Sequence, residues 1–165
     1  MIEEDIEKAP ERLVKKPIEH LFTLQRSPIA LAPVIHNFFA NSSPRERDLL
    51  LSYLVLPMVL YPAMQAALLG VRKTSSLRTL CKDQSRLVGL THNTHQFKSL
   101  TNSALLILQA EQSIELTDDL TVKSIRGVRA SNANPKHLEA ARRLSMVCAE
   151  ADVVTIYRTL GFKSL

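Results

Sequence analysis

This sequence is poor in the residues from which nucleotide and metal sites are commonly built. Of its 165 residues only four are glycine, and none falls in a GxxxxGK[ST] or GxGxxG arrangement, so a glycine-rich loop cradling phosphate is excluded. The two cysteines, Cys81 and Cys148, form no CxxC pair, and there is no HExxH, which leaves no recognisable zinc spacing. Two distant thiols imply a reduced, intracellular protein, and a chain of this length buries about 70% of the surface it exposes unfolded without needing disulfides or metal. The opening MIEEDIEKAPER is charged and lacks the apolar core of a signal peptide, so a cytoplasmic location is expected.

Charge is also missing from one long internal stretch. Leu49–Val71, LLLSYLVLPMVLYPAMQAALLGV, runs for 23 residues without an acid or a base. About 20 apolar residues are enough to cross a bilayer. Pro57 and Pro62 argue against a span, because each removes a backbone donor and costs about 3 kcal/mol in a helix interior. Ser52, Gln65 and Gly70 further lower transfer into lipid. The stretch therefore reads as the buried centre of the fold, with no membrane partner.

Elsewhere charge is plentiful but uneven. Up to Glu11 there are five acids against one base, whereas Leu120–Leu165 holds eight bases against three acids. A basic carboxy-terminal third can face nucleic-acid phosphate or an acidic protein, and solvated helix faces explain part of it.

Three Ser/Asn-Pro pairs, Ser27-Pro28, Ser43-Pro44 and Asn134-Pro135, place a capping side chain ahead of a proline suited to a first helical turn. The first predicts a helix to about Asn41, kinked at Pro33. The second predicts a helix over Arg45–Leu56 that meets Pro57, followed by another over Ala63–Leu69 that stops at Gly70. Ser75 or Ser76 caps a short helix through Cys81, and Asp83 caps one running toward His95. Thr101–Gln112 reads as a separate helix, apolar on more than one face. Next, SIELTDDLTVKSI alternates apolar and polar residues around Asp118-Asp119, the signal of a β-hairpin. Helix, helix and two-stranded wing is the order of a winged-helix-like unit, expected at 83–125. After a linker at Gly127–Asn134, a helix carries Leu138, Ala141, Leu144, Ser145 and Cys148 on one side. A last one carries Val153, Ile156, Tyr157 and Leu160 and ends at Gly161. The expected fold is mainly α: an amino-terminal arm over residues 1–26, then one compact helical domain over 27–165.

Catalytic candidates are few. His92 and His95 sit at i, i+3 but bring only two of the three or four ligands a stable metal site needs. Cys81 with these histidines has the residue types of a thiol enzyme without any defined geometry. Cys148 lies on the apolar side of its helix, where a thiol is inert, and turn chemistry accounts for Asp118-Asp119. No catalytic residue, cofactor or metal is assigned, and the chain reads as a non-enzyme.

Three segments, SPIALAPVIHNFF, LLLSYLVLPMVLY and AARRLSMVCAEADVVTIYRTLGFK, together resemble the middle component of ABC three-component defence systems, of the Lamassu type. The resemblance covers most of Ser27–Lys163. Its most specific pieces are Leu54-Val55-Leu56-Pro57 and the run from Thr155 to Gly161. An aromatic pair common near Met146-Val147 and a Thr/Arg-Glu pattern after the LVLP segment are both missing. The resemblance implies a non-catalytic bridging subunit between an SMC-like ABC ATPase subunit and an effector nuclease subunit that act against phage or plasmids.

Residues alone assign the surfaces only coarsely. Leu105, Leu108, Tyr157 and Leu160 are the candidates for partner binding. Lys123, Arg126, Arg129, Arg142 and Arg143 are those for an acidic partner or non-specific DNA contact. Thr101–Gln112 contains no lysine or arginine, which favours protein contact over base reading. The alternative is a winged-helix DNA-binding regulator, for which the wing and Arg142 and Arg143 would have to share one DNA-facing surface.

Overall fold

A computed structural model of the chain describes residues 26–164, so the expected arm lies outside the described residues apart from Arg26. Helix α1 (Pro28–Ala40) leads to a 3-10 turn at Asp48–Leu51 and then to α2 (Ser52–Leu60) and α3 (Pro62–Leu69). A short α4 (Leu77–Leu80), a second 3-10 turn at Gln84–Leu87 and the long α5 (Leu90–Ala110) follow. The hairpin β1 (Ile114–Leu116) and β2 (Val122–Ser124) precedes α6 (Pro135–Val147) and α7 (Val153–Thr159). The fold is mainly helical with one two-stranded antiparallel sheet, as expected.

The charge-free stretch lies at the centre of the molecule through α2, whereas α3 buries Met64 and Leu68 and leaves Pro62, Ala63 and Ala66 exposed. Val55, Leu56, Val59, Met64 and Leu68 are fully buried, and α1, α5 and α6 pack around α2. The stretch does not run straight. Pro62 disfavours helical backbone at its predecessor, Tyr61 is extended at φ −79° and ψ 118°, and the two helical halves meet at 96°. Gln65 turns back to donate to the Val59 carbonyl at 3.0 Å, satisfying an acceptor that the broken helix leaves open. No single helix among the described residues is long and apolar enough to cross a membrane; the bent pair Asp48–Leu60 and Pro62–Leu69 qualifies by length and composition alone.

Several expected boundaries move. Pro57 lies inside α2 and the break falls at Pro62 instead, because Pro57 is held in the packed centre while Pro62 opens a new helix. Ser27 and Asn134 cap α1 and α6 as expected, accepting from the amides of Ala30 and Lys136. Ser43-Pro44 starts no helix. The chain there is drawn to the hairpin: Arg47 takes left-handed backbone at φ 61° and donates to the Asp119 carbonyl, and Leu49 donates to that of Leu120. Asp83 caps only the 3-10 turn, and the two helices expected between it and Gln112 form one, α5, which starts after left-handed Gly89 at φ 71°. Helix followed by two-stranded wing remains compatible with the winged-helix-like unit expected at 83–125.

Asp48 fastens the wing to this centre. Its buried carboxylate accepts from the Val122 amide at 2.6 Å and the Arg45 amide at 3.1 Å. Burial raises its pKa, and these two amides pull the other way. Between the ordinary carboxylate pKa and the raised one, the folded chain holds a proton that the unfolded chain has released. Asp48's contribution to stability falls as pH rises from the ordinary carboxylate value toward the raised one.

Two outcomes follow from this arrangement. Leu56→Asp puts an uncompensated carboxylate at the most buried point, costing several kcal/mol against a total stability of about 5–15 kcal/mol. The variant should be recovered insoluble, and wild-type yield and melting temperature would refute the core assignment. Asp48→Ala strands the Val122 amide and should cost about 1–3 kcal/mol. Chemical denaturation measures that loss, and unchanged stability would show that Asp48 is not the fastening.

Candidate functional site

The surface with most to offer a partner lies where α5 meets the wing. One side of α5 is buried through Thr101, Ala104, Leu105 and Leu108. Its neighbouring side leaves Leu106 66% exposed, and Ile107 is half-buried. The wing carries Ile114 and Val122 inward. Between them lies a groove of about 310 Å³ lined by Leu49, Leu105, Leu106, Ile114 and Leu116, with only Asn102 and Gln109 as polar neighbours. Concave, apolar and without a charged side chain among the described residues that line it, the groove can receive an apolar side chain from another protein. Leu120 at the wing tip and Ile125 after β2 add exposed apolar surface.

The outer face of the wing is basic. In the strand register Glu115 stands opposite Lys123, and Arg126 and Arg129 follow within six residues; all three cations are exposed. None makes an ion pair at 4.0 Å or less among the described residues. The Arg126 guanidinium makes a long 3.4 Å bond to Gln112. On the inner side, His36 of α1 is buried and lies 2.9 Å from the Ser124 hydroxyl, and desolvation lowers its pKa. The basic segment is therefore carried on a wing held at β2 by both His36 and Asp48.

Arg142 and Arg143 are differently placed. Both reach the Glu139 carboxylate, Arg142 through Nη2 at 2.7 Å and Arg143 through Nε at 2.6 Å. Arg143 also donates to the Val71 carbonyl, tying α6 to the exit of the apolar stretch. These two arginines are engaged within the molecule, whereas Lys123, Arg126 and Arg129 are exposed and make no ion pair among the described residues.

The four apolar candidates support surfaces from beneath. Leu105, Leu108, Tyr157 and Leu160 are all buried, and the Tyr157 hydroxyl donates to the Leu50 carbonyl at 2.5 Å. Leu106 was missed because periodicity around an all-apolar run does not say which side will be covered. A wider cleft of about 690 Å³ is lined by Arg45, Arg47, Glu46, Glu150 and Asp152, a mixture of both signs without a preferred charge.

The residues with chemical potential stay apart from these grooves or stay neutral. His92 and His95 are exposed on α5, and among the described residues no group of three or more His, Cys, Asp or Glu is placed to hold a metal ion. Both cysteines are free and buried. Desolvation raises the Cys81 pKa and pushes Cys148 up to about 12, which disfavours the thiolate a nucleophile requires.

Hydrogen bonds from Arg142 and Arg143 lower the Glu139 pKa to about 2 from an ordinary 4.5. The stabilisation is present above the ordinary value and is lost as pH falls through about 2. Glu139→Gln should cost about 0.5–1 kcal/mol at pH 7 for this solvent-screened cluster. The gap between wild type and variant should narrow on acidification below 4.5 in denaturation curves; a constant gap would mean that Glu139 is not ionised against the arginines.

A family model described as the ABC-three component (ABC-3C) system Middle Component 3 matches residues 15–164. No curated protein and no solved structure matches the chain. The matched range includes every element described above and begins within the segment expected as an arm. With nearly the whole length matched, the chain belongs to the Middle Component 3 family of ABC-three component systems.

Proposed function

We propose that this protein is the non-catalytic bridging subunit that links an SMC-like ABC ATPase to an effector nuclease in a cytoplasmic anti-phage or anti-plasmid defence complex of the Lamassu type. A middle component acts with the other components of its system, and the observation that carries the bridging reading is the uncharged groove between α5 and the wing. A groove lined by Leu105, Leu106, Ile114 and Leu116 with Leu106 mostly exposed is suited to a protein side chain. The Lamassu type rests on the sequence resemblance, and the family match supports the broader middle-component assignment.

The exposed cations of the wing add a second contact of different chemistry. Lys123, Arg126 and Arg129 attract phosphate or carboxylate without selecting a base sequence. A sequence-reading regulator needs more. From Ser99 to Ala110, the part of α5 beside the wing contains no lysine or arginine, the side chains that most often read guanine in the major groove. Arg142 and Arg143, which such a regulator would add, are held by Glu139.

Co-expression with the ABC ATPase and effector components should yield a complex containing all three, and Leu106→Glu should lose one component while leaving the subunit folded. Alone, the protein should bind duplex DNA weakly and without sequence preference. If the three wing cations make the contacts, log affinity should fall against log salt with a slope of about −3. A nanomolar, sequence-selective footprint at physiological salt would overturn bridging in favour of the regulator.

A further inference from the structure

A second groove lies away from the wing, and its lining is different in kind. Thr91, Thr94, His95 and Lys98 are spaced as one stripe along the first half of α5 and line a groove of about 710 Å³. Tyr53 from α2 and Tyr157 and Phe162 from the end of the chain give it an aromatic lining. That lining is built by the way α7 stops. Gly161 takes φ 88°, so the Phe162 amide donates to the Tyr157 carbonyl and the Gly161 amide to that of Arg158, both at 3.0 Å. This is a Schellman closure, and it sets the Phe162 ring edge-on to Tyr157 with centroids 5.0 Å apart. Both tyrosine hydroxyls are occupied internally, Tyr157 by the Leu50 carbonyl and Tyr53 by Asn102 at 2.7 Å. Tyr53 and Phe162, both half-buried, therefore present apolar ring surface to the groove, and the buried Tyr157 backs Phe162 from beneath.

Charge at the groove has one sign. Lys98 and Lys163 line it, both are exposed, and neither makes an ion pair among the described residues. Among the described residues no acidic side chain lines it. We propose that this groove receives an amphipathic segment of one other component of the complex, its apolar side chains against Tyr53 and Phe162 and its aspartate or glutamate against Lys98 and Lys163. Aromatic anchors enclosed by a charged rim are the usual arrangement of an energetic contact. The inference rests on the bridging reading, since a bridge needs a second surface separate from the α5–wing groove.

The test is capture of the separately tagged ABC ATPase and effector components by the full chain after co-expression. Two variants alter exposed groove residues: the double change Lys98→Glu with Lys163→Glu, and Thr91→Trp, which fills the groove. Each is compared with wild type by thermal melting to establish that it folds. Both should reduce recovery of one and the same component at least tenfold while the other is retained. Wild-type recovery of both components by both variants overturns the groove and leaves bridging intact. Loss caused by Thr91→Trp but not by charge reversal overturns the acidic partner, and loss of both components together overturns assignment to a single one. A wild-type chain that captures neither component overturns the bridging reading and the groove with it.

Discussion

The need to cover an uncharged, bent stretch at the centre governs the rest of this structure. Leu49–Val71 has no charged side chain to turn toward water, and its turn at Pro62 divides it into two short helices pointing in different directions. One neighbouring helix cannot cover both. Helices α1, α5 and α6 surround α2, and α6 also packs on α3. Buried apolar surface contributes roughly 25 cal/mol per Å², so this covering layer is where most of the stability resides. The wing and the outer sides of α5 stand outside that layer and, together with Tyr53, Phe162 and Lys163, line the two grooves.

Polar groups at the edge of this centre do a more selective job. Asp48 bonds to the wing at Val122, Arg45 bonds to the carbonyls of Cys148 and Ala151 between α6 and α7, and Arg143 bonds to Val71. Each ties two parts of the chain that are distant in sequence. Such contacts add little net stability per bond but are costly to leave half-made, so they specify one arrangement among the many that hydrophobic burial alone would allow. The wing is held in this way at several points, by Asp48, by His36 and by the backbone pairing of Arg47 and Leu49. A two-stranded ribbon is marginal by itself in water, and here its position is set by the core helices. A partner engaging the α5–wing groove meets a surface already ordered.

The two grooves differ in a way that suits contacts with different partners. The α5–wing groove is apolar without charge, whereas the one near the carboxy terminus combines aromatic rings with lysines. Both lie along α5, with Asn102, Leu105 and Leu106 lining the first and Thr91 to Lys98 the second. A single 21-residue helix thus contributes to both surfaces, and its length follows from the fusion of two segments that local signals separate. The two grooves thus share one helix.

Local chemistry determined much of this protein. The caps at Ser27 and Asn134, the hairpin around Asp118-Asp119, the left-handed stop at Gly161 and the apolar centre all follow from residues within a few positions of one another, because capping, turn geometry and hydrophobic run length are short-range properties. Only the tertiary structure decided which side of each apolar run is covered. Leu105 is buried while Leu106 is exposed, and Arg142 and Arg143 turn to Glu139 while Lys123, Arg126 and Arg129 are exposed and unpaired among the described residues. Ser43-Pro44 has the local signal of a helix start and is overruled by the hairpin, whose partner residues lie about seventy positions further on. Neither groove could be read from the sequence, since each is formed by side chains from separate elements whose meeting depends on how the bent centre is covered.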